Sequence, residues 1–98
     1  MRFCTRIVPG DELNGEIILT QDHLTFIAEH AHYQSENVEV RKTAIKYLMK
    51  RRYTLEDRAV EIFLECRSFL FVFKTKKDRD EFVSLLGLKQ VSYFFEAN

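Results

Sequence analysis

Lys50-Arg51-Arg52 is the strongest concentration of one charge in the chain, with Arg41, Lys42 and Lys46 shortly before it. Ammonium and guanidinium groups at this density hold a phosphate or pair with the carboxylates of a protein partner. A second grouping, His30-Ala31-His32, sets two imidazoles at i and i+2, a spacing that shares one side of a strand. Zinc usually takes three or four protein ligands. No companion cluster accompanies these histidines and Cys66 is remote, so they read as solvated loop residues with no metal site. Glu61 and Glu65 would share a strand face but lie too far apart for paired acid–base work; they read as the wet side of that strand. No Ser-His-Asp or Cys-His grouping has motif support, and three scattered glycines make no phosphate-cradling loop. The expectation is a protein that is not an enzyme and has no cofactor.

The elements that must position these groups belong to one small domain. Ninety-eight residues with 46% hydrophobic content fill a single core. Fifteen basic and fifteen acidic side chains cancel, so no domain-wide field draws in nucleic acid or an anionic membrane. Cys4 and Cys66 form no disulfide lattice and read as two reduced thiols of a cytosolic protein. The N-terminus lacks the apolar core of a signal peptide, and no apolar run approaches the ~20 residues that span a bilayer.

Strands are expected over residues 2–8, 15–20 and 23–29, the first ended by the turn chemistry of Pro9-Gly10-Asp11. In the third, Leu24, Phe26 and Ala28 share one face, the alternation of a strand lying on a core. Residues 31–37 read as a loop. Residues 39–53 are ambiguous: Ile45, Leu48, Met49 and Arg52 fit a helix, whereas Ile45, Tyr47 and Met49 fit a strand. Two further strands follow over 59–66 and 69–74, and the second is apolar on both faces, so something must cover both sides. Thr75 to Asp78 has the form of a capping box, Phe82, Leu85 and Leu86 follow on one helical face, and Gly87 is placed to end that helix. Tyr93-Phe94-Phe95 is too apolar for a free tail and is expected to dock or to begin a linker. The expected core comprises Leu24, Phe26, Val60, Ile62, Leu64, Phe82 and Leu86.

One succession is distinctive: Arg51-Arg52-Tyr53, a polar turn, Ala59-Val60-Glu61-Ile62-Phe63, a second turn, a strand ending in Phe73, and a helix carrying Arg79. It resembles the PH-like domain that precedes the BEACH domain in neurobeachin and Chediak–Higashi type scaffold proteins. The likeness is specific over residues 45–86. Thr54 departs from it, since Leu is more usual there. Asn14-Gly15-Glu16 and Leu24-Thr25-Phe26 are similar to GRAM domains as well, which share the fold. No BEACH domain follows Asn98, so the resemblance implies a domain excised from a much larger protein, or an atypical member.

The resemblance implies a mainly β fold with one C-terminal α-helix, a PH-like bent β-sandwich or barrel, and it favours a strand over 39–53. It further implies a non-catalytic module that packs against the BEACH domain of the same chain, in a scaffold of vesicle traffic, lysosome-related organelles or autophagy. Other trafficking proteins are further partners it implies. The expected location is cytoplasmic, peripheral on endomembranes, with weak or absent phosphoinositide binding. PH domains that bind those lipids draw basic residues from the first two strands and their loop, where this chain has Asp11 and Glu12. The alternative is a GRAM- or PH-type phospholipid-binding module for membrane recruitment. The expected partner-binding residues are Arg51, Arg52, Tyr53, Glu61, Phe63, Phe69 and Phe71, an aromatic patch with charged edges.

Overall fold

A computed structural model describes residues 2–30, 33, 36–88 and 92–95. Its strands are β1 (Arg2–Val8), β2 (Asp11–Leu19), β3 (His23–Ala28), β4 (Val38–Arg41), β5 (Tyr47–Tyr53), β6 (Glu56–Phe63), β7 (Ser68–Val72) and β8 (Ser92–Phe95), with the helix α1 (Lys76–Leu86) between the last two. One sheet runs in the order β4-β3-β2-β1-β7-β6-β5-β8. Seven strands are antiparallel, and β8 adds in parallel along β5, so the apolar C-terminal segment docks.

That sheet is bent. In the sheet order β3 and β7 are three strand spacings apart, about 14 Å if the sheet were flat. Yet the rings of Phe26 on β3 and Phe71 on β7 have centroids 5.5 Å apart. The inner faces of the two halves therefore oppose each other, and the expected mainly β, PH-like architecture is what the chain adopts. The sheet does not close into a barrel; β4 and β8 are its edges.

Glycine permits one tight approach in the first half. A Cβ on Gly15 would lie 2.3 Å from the Ile27 carbonyl oxygen and 2.7 Å from the Phe26 ring. Any side chain there would push β2 off β3 or displace a core aromatic.

Helix α1 covers the opening. Thr75 caps it, its hydroxyl accepting from the Asp78 amide at 3.1 Å, and Gly87 ends it with φ 64°. Phe82, Val83 and Leu86 enter the core, and the Phe82 ring lies 5.1 Å from that of Phe73. All the expected core residues are buried except Leu64, which is half-buried against the cluster.

Several boundaries differ from the sequence reading. Residues 39–53 are not one strand: β4 ends at Arg41, a 3-10 turn spans Lys42–Ala44, and β5 begins at Tyr47. The turn lets the chain leave the edge of β3 and cross to the other half, where the Lys46 amide donates to the Phe63 carbonyl at 2.8 Å. Strand β2 starts at Asp11 rather than Gly15, because its pairing with β1 continues to Val8↔Asp11. The expected loop over 31–37 lies partly outside the described residues; within them, Asn37 Oδ1 accepts from the Ala28 amide at 2.9 Å.

Candidate functional site

The residues singled out from sequence gather on the β5–β6 hairpin and on β7 beside it. Register places Tyr47 opposite Phe63, Met49 opposite Glu61, and Glu61 opposite Leu70. Alternation then divides the two faces. Leu48, Val60, Ile62, Phe69 and Phe71 point inward and are buried. Tyr47, Met49, Arg51, Glu61, Phe63 and Leu70 point outward and are half-buried.

This division corrects the expected site at two positions. Phe71 has no exposed surface and Phe69 only 6%, so neither can offer its ring to a partner. Phe71 packs on Phe26 at the centre of the core. Phe69 lies near the rim, with the guanidiniums of Arg6 and Arg67 over its ring at 5.2 Å and 4.4 Å from the centroid. The bend of the sheet gives this strand's inner face a far wall to pack on.

Of the remaining expected residues the outer face brings Arg51, Glu61 and Phe63 together, while Arg52 and Tyr53 lie beyond the bulge toward the hairpin tip. Arg51 Nη1 donates to Glu61 Oε1 at 2.5 Å, and Ser68 Oγ donates to Glu61 Oε2 at 2.6 Å, so the carboxylate is held from both sides. Tyr47 and Phe63 stack with centroids 4.4 Å apart. Solvated faces of antiparallel sheets ordinarily carry polar residues. Here Tyr47, Met49, Phe63 and Leu70 make an apolar band around one ion pair. Arg52 is exposed, and Tyr53 Oη donates to Glu12 Oε1 across the β1–β2 turn. That carboxylate stabilises the protonated phenol and holds the Tyr53 pKa above its ordinary value.

The sequence reading missed Tyr47, Met49, Leu70 and Ser68 as members of this face. Tyr47 and Met49 alternate with Arg51 and were findable from period two; Ser68 and Leu70 join only through the β6–β7 register. It also missed how deep Arg79 lies. A β-bulge interrupts the hairpin between Arg51 and Arg52, leaving Arg58 as the extra residue. Beyond it Asp57 meets α1, where Arg79 has no exposed surface. Its Nη1 donates to the Ala59 carbonyl at 2.6 Å, Nη2 to Asp57 Oδ1 at 2.8 Å and Nε to Asp80 Oδ1 at 2.7 Å. Lys50 Nζ also lies 3.1 Å from Asp80 Oδ1. Part of the expected basic patch is therefore engaged in fastening the helix. Burial pushes the Asp80 pKa up, but hydrogen bonds from Arg79 and Lys50 outweigh it and hold the carboxyl below its ordinary value.

His30 is exposed, and His32 lies outside the described residues. Among the described residues no three His, Cys, Asp or Glu side chains gather as metal ligands do, and no helix is long and apolar enough to cross a membrane.

A family profile for PH domains associated with Beige/BEACH matches residues 4–87. The chain belongs to that family. Among solved structures, this PH domain is similar to a crystal structure of the C-terminal domain of an unknown protein from Leishmania infantum, with 19% identity, 86% of this chain and 74% of that chain covered, and a TM-score of 0.69. At that identity the likeness shows the fold alone. Comparison with curated proteins gives no match.

Proposed function

We propose that this PH domain is a non-catalytic interaction module whose outer β5–β6–β7 face packs against a BEACH domain of the same polypeptide, in a scaffold protein of vesicle and lysosomal membrane traffic. The observation that carries the reading is the apolar band of Tyr47, Met49, Phe63 and Leu70 around the fixed Arg51–Glu61–Ser68 group, in a chain of a BEACH-associated family. An aromatic and aliphatic centre with a few satisfied charges suits a stable interface. The protein works in the cytoplasm, peripheral on endomembranes, through its partner rather than through a lipid. Asp11 and Glu12 at the β1–β2 turn oppose a phosphoinositide headgroup.

Calorimetry between this domain and the BEACH domain encoded with it tests the reading. Glu61→Arg and Arg52→Glu should each weaken docking at least about tenfold, roughly 1.4 kcal/mol, with the isolated domain still folded by circular dichroism. Unchanged affinity in both variants, or no binding by the wild type, would sink the proposal. Saturable flotation of the isolated domain with phosphoinositide liposomes would move the assignment to a phospholipid-binding module.

A further inference from the structure

The β5–β6 hairpin closes through two residues, Thr54 and Leu55, between the paired positions Tyr53 and Glu56. Both take positive φ, 50° and 69°. This is the pattern of a type I′ turn, which matches strand twist but asks for left-handed backbone at both central positions. Asn-Gly satisfies it at little cost; a β-branched Thr followed by Leu does not. The Thr54 hydroxyl donates to the Tyr53 carbonyl at 2.7 Å, which offsets part of its own cost. Leu55 has no such compensation, because its side chain is 91% exposed, the most exposed of the large hydrophobic residues described.

A single exposed leucine is ordinary on a protein surface. One held in left-handed backbone at the tip of a braced arm is not. Three contacts brace the arm: Tyr53 to the Glu12 carboxylate, Asp57 to the buried Arg79 at 2.8 Å, and Arg58 Nη1 to the Phe73 carbonyl at 2.8 Å. The first ties it to the β1–β2 turn, the second to α1, the third to the end of β7. The tip is therefore presented rigidly, and ordering it costs little when a partner arrives. Strain that persists where nothing in the isolated fold uses it points to a role in binding.

We infer that Leu55 is a preorganised anchor that inserts into an apolar socket on the BEACH domain. This inference rests on the docking reading above and adds the tip of the hairpin to its outer face. The socket is one leucine deep, and its rim carries both signs of charge, facing the exposed Arg52 and Glu56 that flank the tip.

Two substitutions separate strain from contact. Thr54→Asn relieves the first left-handed position and keeps the leucine; it should raise the Tm of the isolated domain by a few degrees and leave affinity unchanged. Leu55→Asn suits left-handed backbone and removes the apolar side chain; it should also raise the Tm, while weakening calorimetric affinity for the BEACH domain at least about tenfold. The Tm arm needs no partner, and a Tm unchanged or lowered in both variants would overturn the strain argument. Wild-type binding with undiminished affinity in Leu55→Asn would overturn the anchor while leaving the docking reading standing. Absence of wild-type binding would overturn the docking reading and this inference together. Liposome flotation that depends on Leu55 would make the occupant a bilayer and end the assignment to a protein socket.

Discussion

Arg79 and Arg51 are two arginines on either side of the same sheet, and they do opposite work. Arg79 is fully buried and spends three donors on the Ala59 carbonyl, Asp57 and Asp80. The Arg51–Glu61 pair lies on the outer face, with side-chain exposures of 34% and 15%. A guanidinium withdrawn from water must have its hydrogen bonds completed within the fold. One at the surface gains little from its pair. Charge alone does not tell a buried clamp from a surface pair; the surrounding solvent does.

Substitutions break that comparison most directly. Phe82→Ala, beside the Arg79 clamp, should cost about 3–5 kcal/mol in urea unfolding, because it empties the core under α1. Arg79→Met leaves the buried Ala59 carbonyl without its donor, at about 1–3 kcal/mol. Asp57 and Asp80 still reach water, so the larger loss of a wholly buried pair is not expected. Arg51→Met should cost less than about 1 kcal/mol. A Phe82→Ala loss under about 1 kcal/mol would mean that α1 does not close the core. An Arg51 variant as destabilised as the Arg79 variant would erase the distinction between the two arginines.

Much of this architecture was legible because it is local. The alternation of Leu24, Phe26 and Ala28, the Thr75 and Gly87 helix ends, and the Phe82 and Leu86 anchors depend on neighbours a few residues away, and they stand where periodicity placed them. Which of the residues expected at a partner surface face outward was only partly legible, for the opposite reason. The both-sided apolar character of β7 showed that each face needs cover, but which face turns to the core follows from a sheet that brings β3 onto β7. Phe69 and Phe71 were assigned outward without that bend, and they point inward. The break between β4 and β5 escaped notice because helical and strand spacings overlap where a short turn interrupts a strand run. Arg79 appeared only as a basic position on a helix, since its three acceptors come from residues 57, 59 and 80.

Acid sharpens the comparison on the clamp side. The folded-state pKa of Asp80 lies below its ordinary value. Its contribution is therefore complete at neutral pH and is lost as the pH falls below the ordinary Asp range near ~4 toward the lower folded value. Urea midpoints recorded from pH 7 downward should decline in that window, and Asp80→Asn should decline less steeply. Identical slopes for the two proteins would show that the clamp does not depend on this charge.

The smallest expected effect uses the two thiols as reporters of the same inside–outside contrast. Cys4 lies on the inner face of β1 and is buried; burial pushes its pKa up to about 12. Cys66 is exposed in the turn between β6 and β7. The thiolate is the reacting species, so at pH 8 a disulfide-exchange reagent should label one thiol per molecule quickly, and mass spectrometry should place the label on Cys66. Cys4 should react only as the domain opens. Arg79→Met, which loosens α1 from β6, should then accelerate Cys4 labelling, whereas Arg51→Met should leave it unchanged. Equal acceleration by both variants would mean that the outer pair also holds the core shut, and rapid labelling of Cys4 in the wild type would contradict its burial.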